Sequence, residues 1–187
     1  MGQGEEGWEW VRIQSDPCPQ CGLDLAARPV GALGAAGVEA ANAWGRFLVT
    51  ADGAALRRHP APGVWSPLQY GLHVRDMYRV FGDRIQVAVA EDDPRVAWFD
   101  PGEDEWRRYD TVDQRAAASA IEGQGVRLAA ILDGLGPGDW DRTARRDGVD
   151  RFTVAGLACF AVHEAHHHLL DATGDLAGAP GDQGASN

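Results

Sequence analysis

The chain contains no lysine: its 17 basic residues are all arginine, set against 28 acids. A net charge of -11 with scattered arginines excludes a nucleic-acid partner, because holding a phosphate backbone needs clustered cations. No stretch approaches the run of about 18 apolar residues that a membrane-spanning helix requires, so no membrane partner is expected. The opening residues, "MGQGEEGWEW", are acidic and lack the basic-then-apolar order of a secretion signal. The expected location is therefore the cytoplasm. Three cysteines are too few for a disulfide framework, and a cytosolic setting keeps thiols reduced. Strand-like alternation is weak throughout, and no internal repeat is visible.

What is present points to helices. At 187 residues and 44% apolar, the chain has the size and composition of one globular domain. Residues 30–51 are Ala-rich and space Leu33, Val38, Ala41, Trp44 and Leu48 along one face. A second helix is expected to about Glu91, with Ser66 as N-cap, Pro67 at the first helical position and Gln69 completing a capping box. Residues 92–110 contain two prolines and no helical period, and read as a long surface connection. A third helix over 112–135 follows Thr111 as N-cap and stops at "GLGPGDW". The stretch "DRTARRDGVDR" reads as a basic loop or short hairpin, leading to Thr153, the cap of a fourth helix to about Ala172.

These segments predict an all-α protein, a four-helix bundle with long crossover connections. Residues 30–173 form the bundle, 1–29 an N-terminal extension with a "CPQCG" turn, and 174–187 a tail too polar and glycine-rich to fold alone.

The fourth helix carries "HEAHHHLLD", which places four of the six histidines within 163–168. His163 and His167, four residues apart, present their imidazoles on one face, where a metal could be shared. His166 and His168 lie about 100 degrees to either side of His167 and suit solvation or support of a ligand. The pattern satisfies the HExxH of zinc peptidases, but the continuation does not. The positions that would supply glycine and a third histidine are Leu170 and Thr173, and no glutamate follows Glu164. The peptidase reading is set aside.

A third ligand must come from elsewhere. His59 lies in "RRHPAPG" and reads as a solvated turn residue, whereas His73 shares the core-facing stripe of Tyr70 and Met77. Spacing alone fits His73 equally as a ligand and as a hydrogen-bonded interior histidine. Cys18 and Cys21 resemble half of a zinc ribbon, but no second CxxC follows. Three readings stay open for that pair: half of a separate structural metal site completed by a distant His or Asp, a redox pair, or a remnant.

The stretch "APGVWSPLQYGLHVRDMYRVFGDRI", followed downstream by "RFTVAGLACFAVHEAHHHLLD", resembles the DinB superfamily of metal-binding four-helix bundles. That group comprises metal-dependent hydrolases and thiol S-transferases. The likeness rests on Trp65-Ser66 with His73 ahead of the second helix's core, and on the His163–His167 pair, and it covers about residues 30–173. It implies a divalent ion, zinc or nickel, held by His73, His163 and His167; three nitrogen donors suit either metal.

The resemblance further implies transfer of a low-molecular-weight thiol to an electrophilic small molecule, with hydrolysis as a close variant. The all-arginine basic set suggests a GC-rich, actinobacterial genome, which makes mycothiol the expected cosubstrate. A non-catalytic, stress-related bundle that only binds metal or ligand is the rival class, and a homodimer is a candidate assembly. Supporting roles are assigned to Asp76, which could orient His73 or instead pair with Arg75 or Arg79, and to Glu164 as general base. Cys159 is either a pocket-lining thiol or a small buried hydrophobe. Arg142, Arg145 and Arg146 are candidates to meet an anionic substrate.

Overall fold

Ser66, Pro67 and Gln69 start the longest helix as their order requires. The Ser66 hydroxyl accepts from the Gln69 backbone N–H at 3.2 Å, and the Gln69 side chain accepts from the Ser66 N–H at 3.1 Å. Two otherwise orphaned donors are satisfied reciprocally. The computed structural model describes residues 12–97, 99, 101–146 and 150–174. In chain order, a 3-10 turn at Val30–Ala32 leads into α1 (Leu33–Thr50), then α2 (Gly53–Leu56), α3 (Pro67–Ala90), β1 (Arg95–Val96) and α4 (Glu103–Tyr109). They are followed by α5 (Gln114–Asp133), β2 (Thr143–Arg146), β3 (Asp150–Thr153) and α6 (Val154–Thr173).

Helices α1, α3, α5 and α6 form the four-helix bundle. α1 packs chiefly on α5, α3 packs on both α6 and α5, and α6 closes the ring against α1. The long connections from α1 to α3 and from α5 to α6 each cross a diagonal of the bundle. Trp44 is fully buried and donates its indole N–H to the Ala165 carbonyl at 2.8 Å, joining α1 to α6. Tyr78 does the same between α3 and α1, donating to the Gly37 carbonyl at 2.8 Å. α1 and α5 approach closely at Gly125, where an added Cβ would come within 2.5 Å of the Ala41 Cβ. No helix among the described residues is long and apolar enough to cross a membrane.

Three expectations need correction. The third helix starts at Gln114, with Asp113 as its cap; the Asp113 side chain accepts from the Arg115 and Ala116 N–H groups. Thr111 bonds back to the Arg108 carbonyl instead. The 92–110 connection is not plain loop: it holds β1 and α4, and Tyr109 of α4 is buried. Weak alternation hides a small sheet of order β1-β2-β3, in which β1 pairs parallel to β2 and β2 antiparallel to β3. The expected hairpin at 141–151 is thus present as β2 and β3.

The N-terminal segment packs onto the bundle, with Ile13, Cys18 and Leu25 buried in the common core. The expected tail lies outside the described residues, apart from Gly174, whose φ of 82° closes α6.

Candidate metal centres

Helix α6 carries two overlapping i, i+4 pairs. His163 and His167 make one; Glu164 and His168, each one residue later, make the other. One residue is about 100 degrees of helix, so the pairs look in different directions from the same two turns. The structure uses both.

Glu164 and His168 meet His73 of α3. The Glu164 carboxylate accepts from His73 Nε2 at 3.1 Å, and His168 Nε2 lies 3.3 Å from the same oxygen. The ligand atoms of these three residues lie within 4.8 Å of one another. His168 donates from Nδ1 to Asp171 at 2.9 Å, which fixes its tautomer and turns Nε2 toward the cluster. Among the described residues, the buried His73 Nδ1 has no hydrogen-bond partner. Aromatic rings wall the cluster: Trp65 stands 5.0 Å from the His73 ring, Trp106 5.9 Å from it, and Tyr70 5.1 Å from His168. The His73 and His168 side chains keep 13% and 12% of their surface exposed, so the site retains an edge to solvent.

Burial disfavours charge on all three members, and their mutual pairing offsets it unequally. Burial would raise the Glu164 carboxyl, but the charge and hydrogen bonds of His168, with those of His73, hold it well below the usual carboxylate range. Burial also opposes protonation of His168, yet Glu164 and Asp171 outweigh it and push its pKa up to about 9. In His73 burial prevails over the Glu164 bond and lowers the pKa.

His163 and His167 turn the other way, toward the N-terminal turn. Together with Cys18 and Cys21 they form a second group whose ligand atoms lie within 4.8 Å of one another. Cys18 Sγ is 3.6 Å from His167 Nδ1, and the two imidazole rings are 5.0 Å apart. A hydrogen bond with Cys21 drives the Cys18 thiol far below its ordinary value, against burial and with help from His163 and His167. The same bond, with burial, pushes Cys21 up.

The expected ligand set of His73, His163 and His167 is therefore divided. The structure gives His73 to one group and the two α6 histidines to the other, because the face of α6 that meets α3 is that of Glu164 and His168. His168, assigned a supporting role, sits at the centre of the first group; His166 is half-buried and belongs to neither. Asp76 does not orient His73. Its carboxylate takes a two-pronged bond from Arg75 at 2.7 and 3.0 Å and the hydroxyl of Tyr109, tying α4 to α3.

The remaining candidates also find partners. Cys159 is buried outside both groups, and burial raises its pKa to about 11, as for a small hydrophobe. Arg142 donates to the Ala88 and Glu91 carbonyls at the end of α3, and Arg145 pairs with Asp93 at 3.0 Å. Ala88 lies about 22 Å along α3 from His73, at 1.5 Å per residue. Arg142 thus sits at the far end of α3 from the cluster, and Arg146 lies over the Phe152 ring. His59 is exposed, as expected of a solvated turn residue, and there it bonds the Val64 carbonyl at 2.9 Å and lies 3.4 Å from Asp110. Sequence reasoning missed Trp106 and Asp171 as site residues. The i, i+3 step from His168 to Asp171 was a readable signal; the position of Trp106 was not.

Both donor sets fit a divalent cation. Two imidazoles and a carboxylate with the edge left open match the His2Glu pattern of catalytic zinc, and Cys2His2 matches a structural one.

A sequence model of the DinB superfamily matches residues 38–172. No curated protein matches the chain significantly in sequence. Among solved structures, YfiT from Bacillus subtilis, described as a probable metal-dependent hydrolase with an unusual four-helix bundle topology, superposes with a TM-score of 0.62 at 17% identity. The match covers 93% of this chain and 87% of YfiT, and at that identity it speaks for the fold.

Proposed function

Because the chain belongs to the DinB superfamily, we propose that it is a metal-dependent enzyme whose ion is held by His73, Glu164 and His168. We further propose that it transfers a low-molecular-weight thiol, mycothiol, to an electrophilic small molecule. The observation that carries this reading is the difference in donor number between the two groups. The His73–Glu164–His168 set offers three donors beneath aromatic rings, with His73 and His168 part-exposed, whereas the cysteine-containing set has all four. Catalytic sites keep a position open and structural sites close it. When bound, zinc or nickel would supply a positive charge able to keep a substrate thiol ionised at neutral pH.

The chain's own residues do the rest. Glu164 positions both imidazoles through one carboxylate oxygen. Asp171 holds the Nδ1 proton of His168, so that Nε2 stays directed at the cluster. Trp65 and Trp106, with ring centroids 4.2 Å apart, form an apolar wall that keeps water from one side and offers a surface for the electrophile.

Hydrolysis at the same site is the second reading, favoured by the description of YfiT. The test is an assay of the metal-loaded protein with mycothiol and chlorinated or bimane-type acceptors, alongside thiol-free hydrolysis of esters and amides. Thiol consumption that requires metal and disappears in His168→Ala supports the transferase. Metal-dependent cleavage without thiol supports the hydrolase. A loaded protein inert in both arms overturns the enzyme reading in favour of a binding bundle.

A further inference from the structure

We propose that Cys18, Cys21, His163 and His167 form a second metal centre, a closed four-ligand zinc site that staples the N-terminal segment to α6. The argument begins in the turn "CPQCG". Cys18 donates its N–H to the Leu23 carbonyl at 3.0 Å, and Gly22 donates to the Cys18 carbonyl at 2.9 Å. Gly22 takes φ 71°, a left-handed conformation that a side chain would strain. That knuckle presents both thiols on one side, where α6 offers two imidazoles a turn apart.

The spacing suits zinc. With Zn–S of about 2.3 Å and Zn–N of about 2.0–2.1 Å, tetrahedral ligands leave sulfur and nitrogen about 3.6 Å apart. Cys18 Sγ and His167 Nδ1 are 3.6 Å apart, and all four ligand atoms stay within 4.8 Å of one another. Cys18, His163 and His167 are 6%, 1% and 3% exposed, and Cys21 is half-buried. Four donors complete a tetrahedral set and leave no position for substrate, so the site is structural. This site does not depend on the function proposed above, since the two share no ligand.

It also has a consequence for that function. His163 and His167 directly precede Glu164 and His168 in the chain. Fixing one pair therefore fixes the rotation of the two turns that present the other.

The test is metal analysis of the full-length zinc-loaded protein and cobalt spectroscopy of its substituted form, for wild type, Cys18→Ala/Cys21→Ala and His73→Ala/His168→Ala. The expected wild type binds one metal per site and shows a sulfur-to-cobalt charge-transfer band. The cysteine variant loses one equivalent and the band; the histidine variant loses one equivalent and keeps the band. Wild type holding a single equivalent that only the cysteine variant removes would uphold this site and defeat the catalytic one. If the cysteine variant does not fold, Cys21→His preserves four donors and should keep the metal with a weakened band. Absence of a band in wild type, or a folded cysteine variant with undiminished metal, would overturn the proposal.

Discussion

His167 and His168 are neighbours in the chain, yet their rings stand at 89° to one another, 5.7 Å apart, and serve different groups. One looks at the N-terminal turn and the other at α3. The separation follows from helix geometry, which turns about 100 degrees per residue, and it makes α6 a shared wall between a four-donor group and a three-donor one.

Asp171 should act mainly on the open site. It accepts from His168 Nδ1 at 2.9 Å, whereas His167 Nε2 is 3.7 Å away, beyond hydrogen-bond length. Asp171→Asn is expected to weaken metal binding there by about 10–100-fold, the usual effect of removing such a partner. Competitive chelator titration should show the loss in only one of the two equivalents.

Asp76 should matter for stability and not for metal content. Asp76→Asn leaves Arg75 and the buried Tyr109 hydroxyl short of their carboxylate, a loss of about 1–3 kcal/mol. Denaturant unfolding should register that loss while elemental analysis finds the metal unchanged. Loss of metal without loss of stability would restore Asp76 to the site.

Much of this was readable before any coordinates. Ser66, Pro67 and Gln69 marked the start of α3, and Thr153 that of α6, because capping is decided by a few adjacent residues. The partition of the histidines was not readable. Periodicity shows that His163/His167 and Glu164/His168 each share a face, but which face meets α3 depends on how the helices rotate against each other. The cysteines posed a harder case, since Cys18 meets His167 across 149 residues of chain. Trp106 was hidden because α4 is a short helix held in place by the Tyr109–Asp76 bond, a tertiary contact no local pattern announces.

Asp93 supplies a pH dependence away from both groups. It sits at φ 47°, and its carboxylate takes bonds from Arg151 and Thr143 and the charge of Arg145. These partners, Arg151 first, hold its carboxyl below the ordinary value of 3.8. A depressed folded pKa gives stability that is fully present above the unfolded value and lost as pH falls through the folded one. Asn tolerates the left-handed backbone, so Asp93→Asn removes the charge alone. Wild type should exceed the variant in stability at pH 7, and the gap should close below about pH 4. A gap that widens in acid would contradict this.

Gly125 tests the bundle itself. A Cβ there would stand 2.5 Å from that of Ala41, so Gly125→Ala must push α1 and α5 apart. Overpacking of this kind costs about 1–3 kcal/mol, outweighing the helix propensity gained. Thermal unfolding of the variant should show a lowered midpoint.

The most direct measurement is a crystal structure of the zinc-loaded protein with anomalous scattering recorded at the zinc edge. Two peaks are predicted, one ligated by His73, Glu164 and His168 and the other by Cys18, Cys21, His163 and His167. A single peak shared by His73, His163 and His167 would contradict the account, because α6 would then turn its other face to α3.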